Sequence, residues 1–493
     1  MDKLQYSLRI FIVFFISVLF MACKKLIEVP APTTEISTAN VYASNISAAA
    51  VLTGVYSSLS TDDQYCQYGY SGPPSIFLEA GLYSDELSLF DQSNTALFYY
   101  YTNNLASQIY SGIPNDFWSS IYQQLYVPND AIANLTNNHS LTPQVQQQLL
   151  GEALFLRAFC YFYLVNLYGT VPLVTTTNYK INSLLPRSSA TDVWKQIIAD
   201  CQNAQSLMSP NFVGSDAETA TPERTRPNKW VATALLSRAY LYTGDWKDAI
   251  LQATSIIQNS TLFAIDSISV TSPNTPFIMN STETIWSLQP VEDYPSANTG
   301  EGAIFILPSS GPAIGGSYPV YLNNYLLSAF EPGDFRMSLW VDSVSVAGTT
   351  YYYAYKYQQA AGTNTPAEYD VVFRLAEQYL IRAEAEANQG DSVDAISDLN
   401  VIRNRAHLPI YSSLVNGPLL KAILHERQVE LFTEWGHRWF DLVRTENANS
   451  VMGGAQNVCG AKGGNWSSSA QLFPINYTEI AADPNLTQTP GYQ

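Results

Sequence analysis

The 493-residue chain is acidic but sparsely charged, and both properties restrict its partners. Aspartate and glutamate (42) outnumber lysine and arginine (24), which gives a net charge of −18, while charged residues make up only 13% of the chain. A field of that sign repels a phosphate backbone, so nucleic acid is not an expected partner, whereas the 33 tyrosines suit neutral, hydroxyl-rich ligands.

The N-terminus is predicted to be a targeting segment. Two basic residues precede an apolar run over 10–21, which is too short to span a bilayer and fits a secretory leader. The run ends at Ala22, directly before Cys23, in the pattern of a bacterial lipoprotein signal. We therefore predict a lipoprotein-type signal peptide over 1–22, lipidation of Cys23 and a lipidated tether over 23–45. An ordinary signal peptide cut near Ala22 is the alternative.

The remaining cysteines and histidines predict no metal or cofactor site. Four further cysteines in so long a chain do not form a disulfide scaffold. Cys160 and Cys201 fall in helical patterns and are predicted to be buried. Cys66 and Cys459 fall in loop-like sequence, and their pairing is left open. There is no C-x-x-C motif, and the four histidines lack metal-ligand spacing.

The segment 46–261 is predicted to be a helical, tetratricopeptide-like N-terminal half. Apolar residues at helical spacing predict helices over 145–168 and 192–208. The stretch 230–258 contains two such patterns separated by a turn at Gly244-Asp245, where the aspartate can cap the second helix. Small residues along both patterns allow close helix packing, as in a tetratricopeptide hairpin.

A second hairpin of the same design is predicted over 372–405, with its turn at Gly390-Asp391. Between the hairpins, 262–370 loses helical periodicity and is predicted to be a loop-rich, ligand-binding insertion, with short strands over 283–289 and 351–357. The predicted fold class is therefore α: a tetratricopeptide-like helical-hairpin scaffold with a loop-rich insertion containing a few short β-strands.

Several motifs in a fixed order support a family resemblance. In the N-terminal half these are Leu156-Arg157-Ala158 and Tyr168-Gly169-Thr170-Val171-Pro172, and near the C-terminus Arg382-Ala383-Glu384-Ala385, Glu426-Arg427-Gln428-Val429-Glu430-Leu431, Arg438-Trp439-Phe440-Asp441-Leu442, Leu472-Phe473-Pro474-Ile475 and Pro490-Gly491-Tyr492. As a set they closely resemble the SusD/RagB family of outer-membrane lipoproteins, with 371–493 as its C-terminal helical segment and tail. Asn476 and Thr489 depart from the family's usual proline and asparagine.

The resemblance implies a non-catalytic, cell-surface protein held at the outer membrane by its lipid anchor. Such proteins bind nutrient glycans, or in some members peptides, for polysaccharide utilisation. They sit as a lid on a SusC-like TonB-dependent transporter, with the tetratricopeptide hairpins typically on the transporter-facing side. A peptide-binding lid and a tetratricopeptide protein–protein adaptor are the alternatives. Starch, fructan, pectin, host glycans and peptides all remain open as ligands.

The charged motif near the C-terminus is predicted to be a structural network. Helical spacing would pair Glu434 with Arg438, Asp441 with both Arg438 and Arg444, and Arg427 with Glu430. A glycoside hydrolase would instead use its carboxylates as acid and base. The arginines at matching spacing would keep those carboxylates ionised, so no catalytic residue is predicted. The network comprises Arg427, Glu430, Glu434, Arg438, Asp441 and Arg444.

Tyrosines in loops are the candidate ligand-binding residues. Sugar C–H faces stack on aromatic rings, and sugar hydroxyls suit amides and carboxylates. Packing of each ring against the scaffold is the alternative. The candidates are Tyr68, Tyr70, Tyr294, Tyr318 and Tyr321.

Overall fold

Helices form most of the part of the chain that the structure describes, and the strands described there pair in twos. This computed structural model describes residues 38–65, 75–107, 117–290, 299–315, 318–359 and 367–492. The helices are α1 Thr38–Val41, α2 Asn45–Tyr65, α3 Ile76–Tyr83, α4 Thr95–Tyr101, α5 Phe117–Gln124, α6 Tyr126–Leu135, α7 Pro143–Tyr168, α8 Tyr179–Asn182, α9 Ala190–Leu207, α10 Lys229–Thr243, α11 Trp246–Ile257, α12 Gly300–Phe305, α13 Asn324–Leu327, α14 Phe335–Leu339, α15 Leu375–Gln389, α16 Ser392–Arg405, α17 Asn416–Glu430, α18 His437–Arg444, α19 Ala448–Met452, α20 Val458–Ala461 and α21 Tyr477–Ala482. The strands are β1 Leu87–Leu89, β2 Thr284–Leu288, β3 Val320–Leu322, β4 Val341–Val346, β5 Thr349–Ala354 and β6 Asp370–Arg374.

Both predicted helical hairpins are confirmed. Helices α10 and α11 are joined through Gly244, whose φ is 75°, and Asp245 accepts a hydrogen bond from the Asp248 N–H at 3.4 Å. Helices α15 and α16 repeat the arrangement through Gly390 (φ 86°) and Asp391. Helix α11 packs against α15, so hairpins that are distant in sequence become neighbours in one scaffold. The predicted fold class is confirmed.

The second hairpin begins slightly later than predicted. Residues 372–374 belong to β6, where Val371, Val372 and Phe373 favour a strand, and they pair with β2. The two insertion strands are confirmed as β2 and β5, although β5 ends at Ala354 and does not reach Tyr357. Strand β2 is fully buried, so the insertion contributes to the main core.

Gly390 offers a direct test of the hairpin turn. A Cβ at Gly390 would meet no atom within 4 Å, so Gly390→Ala causes no steric clash. Its cost is that alanine must adopt the left-handed backbone conformation, which should lower the free energy of unfolding by about 1–2 kcal/mol. Gly54, inside α2, is equally open, and Gly54→Ala should instead stabilise by about 0.5–1 kcal/mol. Urea unfolding of both variants measures these changes in stability. Two changes of the same sign would contradict the role of Gly390 as the left-handed residue of the turn.

Helix α7 forms the centre of the core. It is long and apolar enough to cross a membrane, but its most apolar window is 94% buried within the protein, as expected of a core helix. The predicted burial of Cys160, on α7, and of Cys201 is confirmed. Cys459 is also buried as a free thiol, whereas Cys66 and Cys23 lie outside the described residues.

Glu79 on α3 should make stability depend on pH. Burial raises the pKa of this carboxyl from 4.5 to about 8. Between those values the folded state holds one more proton than the unfolded state, so stability falls as pH rises, by up to about 1.4 kcal/mol per pH unit. Glu79→Gln removes this contribution, so the variant should gain stability relative to the wild type as the pH rises from about 5 to about 7. Urea unfolding across that range tests it, with exposed Glu218→Gln expected to show no such trend.

Candidate functional site

Strands β1 and β3, both largely buried, bring two segments that are distant in sequence together at the edge of a two-stranded sheet. Leu87 pairs with Leu322 and Leu89 with Val320 in an antiparallel ladder. The ladder is extended by the Phe90 N–H, which donates to the Pro319 carbonyl at 2.7 Å. The loop after β1 and the loop before β3 therefore emerge side by side.

Three aromatic rings meet at this edge. Tyr351, on β5, contacts Phe90 with a centroid distance of 5.8 Å and Tyr321 with 5.2 Å, both edge to face. Each of the three residues is partly exposed. We call Phe90, Tyr321 and Tyr351 the aromatic platform. Rings that brace one another in this way keep a fixed orientation, which suits them to receive a flat apolar ligand face.

Polar groups flank the platform. The Asp91 carboxylate accepts hydrogen bonds from the Gly315 N–H at 2.7 Å and from the Ser93 N–H at 3.1 Å. Asp91 is only 3% exposed, and the bonds from the Ser93 hydroxyl and from Gly315 lower its pKa, so its ionised carboxylate fixes the loop that carries Gly315 beside the platform. Gln92 beside it is exposed. An exposed amide such as that of Gln92 can hold hydroxyls while the neighbouring rings cover C–H surface.

The structure brings some of the predicted ligand-binding residues to this edge. Tyr321 belongs to the platform, and Tyr318 is partly exposed just before β3. Tyr68, Tyr70 and Tyr294 lie outside the described residues. Sequence reasoning missed Phe90 and Tyr351. The alternating aromatics that predicted β5 also place Tyr351 on one face of that strand, which was the available signal for it.

The predicted charge network is buried, but its partners differ from those that helical spacing predicts. Glu430 is fully buried and accepts from Arg336 at 2.9 Å, from Arg374 at 2.5 Å and from Arg405. Burial opposes its ionisation, yet Arg405, Arg374 and Arg336 together hold the pKa of Glu430 well below its usual range. Glu430 is therefore the centre of a buried ionic cluster.

The predicted pairing of Glu434 with Arg438 is wrong. Glu434 lies in the turn between α17 and α18, so helical spacing does not apply to it, and it pairs instead with Arg374 at 2.7 Å and with Lys356. Arg438 turns to the end of α3 and holds Asp85 through two bonds of 2.7 and 2.8 Å.

The pairs around Asp441 confirm one prediction and correct two. Arg444 binds Asp441 at 2.8 Å, as the spacing predicts. The predicted pairing of Asp441 with Arg438 is wrong, because Asp441 binds Arg427 at 2.7 Å. The predicted pairing of Arg427 with Glu430 is wrong for the same reason. Burial opposes ionisation of Asp441, but Arg427 and Arg444 lower its pKa. Local spacing missed these partners because they come from different helices.

The three carboxylates of the hydrolase alternative are poorly placed for acid–base chemistry. Glu430, Glu434 and Asp441 are 0%, 4% and 5% exposed, and each is paired with a cation. A general acid or base must reach the proton it transfers, and these oxygens face arginine or lysine instead. Within the described ranges, no group of three or more His, Cys, Asp or Glu side chains could hold a metal ion.

The paired helical hairpins define a tetratricopeptide-like class of helical protein. Comparison with known proteins supports this class. Residues 342–492 match the model of the SusD family, and residues 79–241 match a model described as starch-binding associating with outer membrane. The chain belongs to the SusD/RagB family.

Individual relatives agree with that assignment. SusD-like protein P2 of Formosa agariphila is 25% identical over 437 residues, which cover 79% of this chain and 83% of that protein. The starch-binding protein SusD of Bacteroides thetaiotaomicron is 34% identical over 128 residues, 25% of this chain and 21% of that protein.

Solved structures show the same fold. A SusD superfamily protein of Bacteroides vulgatus superposes with a TM-score of 0.74 at 21% identity, covering 91% of this chain and 99% of that one. A laminarin-binding SusD-like protein gives a TM-score of 0.70 at 21% identity, covering 90% and 99%.

Proposed function

We propose that this protein is a non-catalytic, cell-surface binder of nutrient glycans that delivers them to a SusC-like TonB-dependent transporter. The observation that carries the proposal is the aromatic platform, three partly exposed rings beside the exposed amide of Gln92. Stacking surface with adjacent hydrogen-bonding groups matches the two faces of a sugar ring. The starch-binding and laminarin-binding relatives support the same ligand class.

The absence of catalysis in this proposal is supported by the buried charge network. Glu430 and Asp441, two of the three hydrolase candidates, have pKa values held low by neighbouring arginines. A general acid needs a raised pKa, which is the opposite direction.

The location and partner in this proposal come from the leader and the family. Lipidation of Cys23 would tether the chain to the outer membrane, and the match to a model for starch binding at the outer membrane supports that location. A transporter of the SusC type is the partner that the family resemblance implies.

A glycan array and a membrane pull-down test the proposal. Starch, laminarin, fructan, pectin and host glycans are immobilised and probed with the full chain, beside a peptide library. We expect retention on at least one neutral polysaccharide, with no release of shorter products on prolonged incubation. Binding to peptides alone would replace the glycan proposal with the peptide-binding alternative. Co-purification of a TonB-dependent transporter from outer membranes tests the delivery step.

A further inference from the structure

A polar cleft lies at the opposite end of the β1–β3 ladder from the aromatic platform. Its volume is about 390 Å³, within the range of small-ligand sites. Gln428 and Arg438 also line a neighbouring recess of about 200 Å³. We call it the Arg438 cleft; its main lining residues are Asn324, Tyr325, Ser328, Gln428, Arg438 and Gln456.

The polar side chains of the Arg438 cleft are unused within the protein. Asn324, Ser328, Gln428 and Gln456 donate and accept no side-chain hydrogen bond among the described residues. Gln428 is partly exposed and Asn324, Ser328 and Gln456 are exposed, so all four side chains are accessible to a ligand in the cleft. Amides and hydroxyls both donate and accept, which is the pattern that sugar hydroxyls require.

The Arg438 cleft carries no net formal charge. Its two charged lining residues, Arg438 and Asp85, are paired through two hydrogen bonds of 2.7 and 2.8 Å. Asp85 is 3% exposed, so the pair is a fixed dipole and not a free anion or cation. A charged ligand would lack a counter-charge there, whereas a neutral ligand would meet fixed donors and acceptors.

One wall supplies apolar contact. The Tyr325 ring is partly exposed, and its hydroxyl donates to the Gln456 carbonyl at 2.9 Å, which fixes the ring at the rim. Its backbone N–H is bound by the Asn323 side chain at 3.1 Å, so the start of α13 is also held. A ring fixed at both ends is ready to cover a C–H surface without losing further side-chain freedom.

The Arg438 cleft and the platform are linked by short strand segments. Asp85 precedes β1 and Phe90 follows it; Tyr321 lies in β3 and Asn324 follows it. Five residues of strand span at most about 17 Å, so a short oligosaccharide is long enough to bridge that separation.

We propose that the Arg438 cleft is a second subsite that binds a neutral sugar unit, held by Asn324, Ser328, Gln428 and Gln456 against the Tyr325 ring. This inference rests on the proposed glycan-binding function. It adds a site built from α13, α17 and the loop before α20, separate from the aromatic platform.

Calorimetry with short neutral probes tests the cleft. The probes are maltotriose, laminaritriose, mannotriose and xylotriose. Each is titrated into three proteins: the full chain, the platform variant Tyr321→Ala/Tyr351→Ala, and a quadruple variant that adds Asn324→Ala/Gln428→Ala to the platform variant. We expect at least one trisaccharide to bind the wild type, to retain weak binding to the platform variant, and to lose it at least tenfold when the cleft changes are added. Gln428→Leu tests the cleft in the wild-type background. Its control is Gln147→Leu, which changes an exposed helical glutamine outside the cleft and should leave the affinity unchanged.

The outcomes separate the two proposals. If the platform variant alone abolishes trisaccharide binding, or if Gln428→Leu keeps wild-type affinity, the cleft is not a subsite although the protein still binds glycans. Retention on a polysaccharide without binding of any trisaccharide would also overturn the proposal that the cleft is a sugar subsite. If the wild type binds neither polysaccharides nor trisaccharides, the proposed function itself fails. Circular dichroism and unfolding curves of each variant verify that the fold is retained.

Discussion

Replacing Glu430 with glutamine should lower the free energy of unfolding by about 3–5 kcal/mol, the largest stability effect expected in this chain. The neutral amide would leave Arg336, Arg374 and Arg405 short of a counter-charge in a site with no exposure to water. Unpaired buried charge is costly because the low-dielectric interior replaces little of the lost hydration. The substitution keeps the side-chain volume, so the loss reports on charge.

Thermal and urea unfolding measure the effect against a matched surface control. Lys195 pairs with Asp192 at 3.3 Å, but its side chain is 73% exposed, so Lys195→Ala should change stability by less than about 0.5 kcal/mol. A Glu430→Gln protein as stable as the Lys195→Ala protein would show that the buried cluster is dispensable. The low folded pKa of Glu430 adds a second expectation: its contribution is present at neutral pH and is lost as the pH falls through the acid range.

Truncating Tyr351 to alanine should weaken glycan binding by at least about tenfold, or about 1.4 kcal/mol. Tyr351 contacts both Phe90 and Tyr321, so its removal deletes one stacking surface and frees the other two rings to move. The ligand would then have to order those rings on binding. Affinity electrophoresis in gels containing the polysaccharide retained on the array measures the change.

Two variants control for the tyrosine itself. Tyr179 is 73% exposed on α8, away from the platform, and Tyr179→Ala should leave binding unchanged. Tyr351→Phe keeps the ring and should retain most of the affinity, because stacking needs the π face and not the hydroxyl. Equal losses in Tyr351→Ala and Tyr179→Ala would argue against the platform as the binding surface.

The sequence predicted the hairpins well because their signals are local. A glycine that tolerates positive φ, followed by a capping aspartate, defines the turns at Gly244 and Gly390. The charge pairs were predicted less well because they are non-local. Arg374 and Arg405 reach Glu430 from β6 and α16, and nothing in the spacing around Glu430 reveals them.

The candidate site likewise combines features that the local sequence predicts with features that depend on tertiary packing. The aromatic character of Tyr321 was visible in the sequence, whereas its contact with Tyr351 depends on β5 lying against β3. Phe90 joins them only because β1 pairs with β3, and the two strands are far apart along the chain. Strand pairing of this kind depends on tertiary packing and not on local pattern.

The buried cluster around Glu430 also determines how the chain must fold. Glu283 binds both Arg374 and Arg405, which in turn bind Glu430, so the middle of the chain and its C-terminal helices share one set of charges. A fragment that ended before α17 would keep Glu283 but lack Glu430, so Arg374 and Arg405 would share one buried carboxylate. The buried cluster is therefore complete only once α17 has been synthesised, and a chain truncated before it should be less stable than the full chain.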